Sequence, residues 1–226
     1  MAIMEQKYQR LYEIVKKEME GASPAHDINH VMRVYNLCML LAKYEENVDL
    51  DVLKTAALLH DIARARESRS VDHAVLGAKM SEKILRKLGY SEDKIKLVKH
   101  CIAAHRYRSP VKPKTIEAKI LSDADKLDVL GATGIARSYI LAGEYGQKIY
   151  LDIPVDEYVK KNLEGGKYDG RIIDPSKHSP NLEFETKFKY IPNRLYTRKA
   201  KEIAKERLKY MQQFFERLKR EIKAEI

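Results

Sequence analysis

A histidine and an aspartate stand side by side at His60-Asp61, closing an apolar helical run of Val52, Leu53, Ala56, Ala57, Leu58 and Leu59. Both side chains are costly to bury without a partner. A divalent metal is the simplest partner, because it takes imidazole nitrogen and carboxylate oxygen together. Other polar sites interrupt other apolar helical patterns: His30, His105 and the acidic cluster Asp123-Ala124-Asp125-Lys126-Leu127-Asp128. Each falls on a different expected helix, and a helix bundle can aim such residues at one interior point. Two imidazoles with two carboxylates form a mixed nitrogen and oxygen set. It suits Mn, Fe, Co, Ni or Zn better than Ca, and it leaves room for a water that the metal can activate.

The elements that must position these residues are read from apolar spacings of three and four. They give a first helix over 3–20 and a second from the Asp27 cap to about Tyr44. A third runs from about Asp51 to Arg64, a fourth from about Asp72 to Leu88 with Gly89 beyond its end, and a fifth over Glu92–His105 behind Ser91. One long helix is expected over Thr115–Leu141, with Gly131 and Gly134 marking close packing or a bend. From Gly143 to Pro192 the periodicity fails, and Pro154, Gly165-Gly166, Pro175 and Pro180 punctuate a long, lid-like loop in which a short helix such as Pro154–Asn162 fits. Arg194 to Ile226 reads as a closing amphipathic helix. No repeat and no strand emerges. The expected fold is all-α: one domain over 1–226, with a core at 26–142, an irregular segment at 143–193 and the closing helix at 194–226.

The 226 residues are 44% hydrophobic and 34% charged, the balance of a globular protein. No apolar run approaches the roughly 20 residues that span a bilayer, and the N-terminal stretch lacks the apolar centre of a signal peptide. The expectation is a cytoplasmic protein with no membrane partner. The two cysteines, Cys38 and Cys101, sit inside apolar patterns and read as buried thiols. A net charge of +10 favours an anionic partner. Residues 194–226 carry eleven Lys/Arg against five Asp/Glu, more than half of that excess. These charges alternate with Glu on a helix that has a full apolar face, which disfavours a nucleic-acid-binding module.

The ordered set His30, His60-Asp61 and a distant Asp in 123–128 resembles the H…HD…D pattern of the HD-domain metal-dependent phosphohydrolases. The surrounding phrases carry the resemblance further: His26-Asp27-Ile28-Asn29-His30-Val31-Met32-Arg33-Val34, Ala57-Leu58-Leu59-His60-Asp61-Ile62, His73-Ala74 with Gly77-Ala78, and Ser122-Asp123-Ala124-Asp125-Lys126-Leu127-Asp128 with Gly131-Ala132. The closing segment is similar to that of the branch holding bacterial nucleotide pyrophosphohydrolases. The resemblance implies an HD-domain helical bundle and a divalent metal, Mn, Ni, Co, Fe, Mg or Zn, held by His30, His60, Asp61 and Asp125. Asp128, one turn on, would orient a ligating histidine, and Asp123 reads as a solvent-facing charge.

By the same resemblance, His73 and His105 either bind a second metal, as in two-metal branches, or face the phosphate as proton or hydrogen-bond donors. The one-metal arrangement is the expectation here. His26 is assigned a local role at the helix start. Arg64 resembles the basic residue that contacts phosphate in many relatives. Arg33 and Lys126, each beside an expected ligand, join it as substrate-binding residues. The implied reaction is hydrolysis of a nucleotide or related phosphate ester or anhydride by a metal-activated water, with Asp61, His105 and His73 catalytic. A cyclic-nucleotide or alarmone phosphodiesterase is the alternative, and a homo-oligomer is left open.

Overall fold

The structure is a computed structural model that describes residues 5–66, 72–168 and 170–226. Among these residues it contains ten α-helices and short 3-10 turns, and no strand beyond the single bridge between Leu163 and Ile172. The all-α expectation holds. No helix among the described residues is long and apolar enough to cross a membrane.

The chain divides into two compact units. The first comprises residues 1–127 and 195–200. It contains α1 (Gln6–Glu18), α2 (Ile28–Ala42), α3 (Leu50–Leu59), α4 (His73–Lys87), α5 (Glu92–Ala104) and nearly all of α6 (Ile116–Asp128). Its helices start where the sequence supplies caps. Asp27, Asp49 and Asp72 each accept two backbone amides at the starts of α2, α3 and α4, and Ser91 accepts the Lys94 amide for α5. Each such cap stabilises its helix by about 1 kcal/mol. Gly89 ends α4 with φ +78°, a conformation that a side chain would strain. α3 packs against α1, α2 and α5, and α4 lies along α5. Leu11, Leu41, Leu53, Leu58, Leu59, Ile95, Ile102 and Leu121 fill the core between them, each fully buried. Such a side chain contributes roughly 1.5–3 kcal/mol by leaving water. Cys38 and Cys101 are free and buried in the same core, and burial pushes the Cys101 thiol up to about 12. The expected first helix begins at Gln6, and its expected apolar position Ile3 lies outside the described residues.

The second unit comprises residues 128–194 and 201–226. It holds α7 (Gly131–Glu144), α8 (Val155–Asn162), α9 (Pro180–Thr186) and most of α10 (Arg198–Ile222). The single helix expected over Thr115–Leu141 is broken at Val129-Leu130. Gly131 adopts φ +74°, and a Cβ on Gly134 would lie 2.1 Å from the Val129 carbonyl oxygen. The glycines therefore end one helix and begin another. The stretch read as a loop before α10 has a core of its own: Tyr158, Val159, Leu163 and Leu182, with Leu151, Val155 and Ile172 against them. Asn181 ties the extended chain to it by bonding both the amide and the carbonyl of Leu151.

Candidate metal centre

Six side chains of the first unit meet at the ends of its helices. His30 lies in the first turn of α2, and its amide is one of the two that Asp27 caps. His73 opens α4 behind Asp72. His60 and His105 are the residues at which α3 and α5 end. Asp125 stands on α6, and Asp61 on the turn after α3. The helix expected to continue to Arg64 stops at Leu59 and tightens: the Ile62 amide bonds the Leu59 carbonyl at 3.2 Å, and the Arg64 amide bonds that of Asp61 at 2.8 Å. On a continued α-helix adjacent side chains diverge by about 100°. Here His60 Nε2 and Asp61 Oδ2 lie 4.0 Å apart in the same buried spot.

Around Asp61 the spacing is close. Oδ2 lies 3.4 Å from His30 Nε2, and Oδ1 lies 3.2 Å from His73 Nε2 and 3.7 Å from His105 Nε2. His30 Nε2 is also 3.3 Å from His60 Nε2 and 3.5 Å from Asp125 Oδ1. Two groups among the described residues have the compactness to hold an ion, His30 with His60 and Asp125, and Asp61 with His73 and His105.

The tautomers test whether a cation fits. His60 Nδ1 lies 2.8 Å from the Ala57 carbonyl oxygen, and His105 Nδ1 lies 2.6 Å from that of Ile102. A carbonyl only accepts, so each Nδ1 carries a proton, and in the neutral ring, the form that ligates a metal, Nε2 presents a lone pair. Lone pairs thus point at the Asp61 and Asp125 carboxylates in a buried site, where acceptors facing acceptors are costly. A divalent ion resolves the conflict, and the carbonyl bonds behind the rings are the support that metal-bound histidines use.

The electrostatics agree. Burial lowers the His60 pKa to about 4, with Asp61 opposing and His105 and His30 assisting. Burial works to raise Asp61, but the surrounding His60, His105, His30 and His73 rings outweigh it and hold the carboxyl well below the ordinary range. Asp125 is held at about 2, burial being overcome by His105, His30 and His60. At neutral pH the carboxylates are charged and His60 is neutral, the forms that ligate metal.

The other expected site residues fall in distinct places. Arg64 is half-buried; its Nη1 donates to His73 Nδ1 and its Nη2 to His26 Nε2, both at 3.1 Å. His26 is therefore a partner of Arg64 as well as a residue of the turn before α2. The available sign was its position four residues before His30. Arg33 is half-buried on α2, one turn beyond His30. Lys126 is buried, and its ammonium donates to the carbonyls of Ser122 at 3.0 Å and His105 at 3.2 Å. Asp128 pairs with Arg137 at 2.9 Å within the second unit. Asp123 corrects the reading of a solvent-facing charge. It is fully buried and accepts from the Tyr196 and Thr197 amides at 2.9 and 2.7 Å and from the Thr197 hydroxyl at 2.8 Å. Of the remaining histidines, His100 accepts the Lys114 amide, and His178 is buried in the second unit.

Comparison with known proteins follows the same lines. The HD domain family model matches residues 27–130. The Bacillus subtilis protein YpgQ is 28% identical over 212 residues, spanning 92% of this chain and 90% of its own. A crystal structure of YpgQ in complex with ADP superposes with a TM-score of 0.70 at 26% identity, covering 95% of this chain and 97% of that one. An HD-superfamily hydrolase from Bacillus thuringiensis gives a TM-score of 0.70 at 29% identity, covering 97% and 98%. Residues 27–130 match the HD domain, and the chain as a whole is similar in fold to an HD-superfamily hydrolase.

Proposed function

We propose that the protein hydrolyses a nucleotide at a phosphoanhydride or phosphoester bond, with a divalent ion held by His30, His60, Asp61 and Asp125, manganese first among the candidates. The observation that carries this reading is the convergence of these four side chains on one buried point, with His60 Nε2 presented as a lone pair. The ADP bound to YpgQ supports a nucleotide as the substrate class. When bound, the ion supplies an activated water and a Lewis acid for a phosphoryl oxygen.

The chain's own residues do the rest. Arg64 and Arg33 offset charge on the phosphoryl oxygens; guanidinium groups suit this because they stay charged and donate in a fork. Lys126 adds positive charge while holding the carbonyl of His105. His105 takes at Nε2 the proton that the attacking water releases and gives it to the leaving oxygen. His73 donates from its ring to Asp61 Oδ1 or to a phosphoryl oxygen.

The test is a panel of nucleoside mono-, di- and triphosphates, cyclic nucleotides, alarmones and simple phosphate esters, each with Mn2+, Co2+, Ni2+ or Mg2+. Turnover of a nucleotide is expected. Asp61→Ala is expected to lose bound metal and turnover together, the latter by about 100-fold or more. Full activity of Asp61→Ala, or no turnover across the panel, ends the reading.

A further inference from the structure

The group of Asp61, His73 and His105 is as compact as the group that includes His30 and His60, and by spacing alone it would take a second ion. We propose that it does not, and that Arg64 is the positioning residue that keeps the centre mononuclear, by fixing His73 as a hydrogen-bond donor and by placing a permanent positive charge where a second ion would otherwise be balanced. This inference rests on the metal-centre reading above.

The argument starts from one bond. Arg64 Nη1 lies 3.1 Å from His73 Nδ1. A guanidinium only donates, so Nδ1 accepts, and the proton of the neutral ring sits on Nε2. That Nε2 lies 3.2 Å from Asp61 Oδ1, donor against acceptor. A protonated nitrogen has no lone pair for a metal. His60 and His105 are set the opposite way by the carbonyls of Ala57 and Ile102, and both present lone pairs. The histidines around Asp61 are therefore not equivalent, although their distances to it are similar.

To ligate through Nε2, His73 would have to move its proton to Nδ1. There it would face the N–H of Arg64, two donors against each other. A second divalent ion would also add its charge beside a guanidinium that never deprotonates. Arg64 does not simply swing aside, because its Nη2 is held from the other flank by His26 Nε2 at 3.1 Å. His26, Arg64, His73 and Asp61 form one chain of acceptor, double donor, acceptor-donor and acceptor. Each link fixes the direction of the next.

Metal stoichiometry tests this without relying on turnover. Chain loaded with Mn2+ alone and freed of excess is expected to hold one ion, and Arg64→Met two. Arg64→Met with His73→Gln is expected to return to one, placing the gained ion on His73. Two ions in the unaltered chain, or one in a folded Arg64→Met, overturns the inference while leaving the metal centre standing. No ion in the unaltered chain removes the metal-centre reading and this inference with it. A second measurement covers a variant that does not fold. Nitrogen-15 spectra of the metal-free unaltered chain should assign the His73 proton to Nε2 and the His60 and His105 protons to Nδ1. A His73 with its proton on Nδ1 overturns the inference.

Discussion

Both units bury histidine among carboxylates, and they do it in opposite ways. In the second unit, the Tyr158 hydroxyl lies 2.5 Å from His178 Nδ1. His178 Nε2 lies 3.0 Å from Glu183 Oε2, and Lys187 donates to Glu183 Oε1 at 2.6 Å. Each acceptor there meets a donor. Burial would raise the Glu183 carboxyl, but Lys187 and His178 hold it well below its ordinary range. In the first unit, fixed lone pairs of His60 and His105 face Asp61 and Asp125. A closed donor–acceptor chain stabilises a fold; converging acceptors call for a cation. The number of buried polar residues does not separate the two cases, whereas the direction of their hydrogen bonds does.

The widest break in this contrast should come from two aspartates two positions apart. Asp125→Ala is expected to weaken Mn2+ binding by about 100-fold or more, since it removes a proposed ligand. It should leave the melting temperature of the metal-free protein unchanged or higher. Asp123→Ala should do the reverse. It strands three donors and is expected to cost about 2–3 kcal/mol of stability, seen as a lower denaturation midpoint. Metal titration and denaturant melts on both variants read the contrast directly; equal losses of stability would erase it.

Glu183→Ala sharpens the same point from the other unit. It breaks a partly buried network and is expected to cost about 2 kcal/mol, less than a fully buried pair because Lys187 reaches solvent. The ion content should not change, which metal analysis of the variant checks.

The smallest effect concerns a charge cluster at the start of α3. Asp51 bonds Tyr8 at 2.8 Å and pairs with Lys7 and Lys94. Burial opposes its ionisation, but these partners lower its pKa to about 2. The folded chain therefore binds this proton less readily than the unfolded one, whose value lies near 3.9. The stabilisation is present above about pH 4 and is lost as the pH falls toward 2. Asp51→Asn should cost under about 1 kcal/mol at pH 7, as half-exposed pairs do. It should also flatten the loss of melting temperature between those pH values.

What the sequence disclosed was local. The Asp27 and Ser91 caps and the Gly89 stop lie within a few residues of the amides or turns they serve, so spacing reveals them. The helix break at Val129-Leu130 was half legible. Gly131 and Gly134 announced a close approach, but apolar spacing continued through them and suggested one helix. The second partner of His26 and the burial of Asp123 were missed for a common reason: Arg64 lies 38 positions from His26, and Thr197 lies 74 from Asp123. Nothing near either residue identifies its partner. The stretch before α10 hid its small core because Tyr158, Leu163 and Leu182 are too widely spaced to form a period.

The bond from Asp123 to Thr197 bears on where the chain can be cut. Residues 195–200 complete the first unit, although more than sixty positions of chain separate them from its other part. A fragment trimmed to 27–130 would retain every proposed ligand of the centre and most of its recognisable phrases. It would lose α1, whose Leu11 and Val15 are fully buried, and it would leave the Asp123 carboxylate with no donors from Tyr196 and Thr197. The portion that the family model matches is shorter than the compact unit that holds the centre.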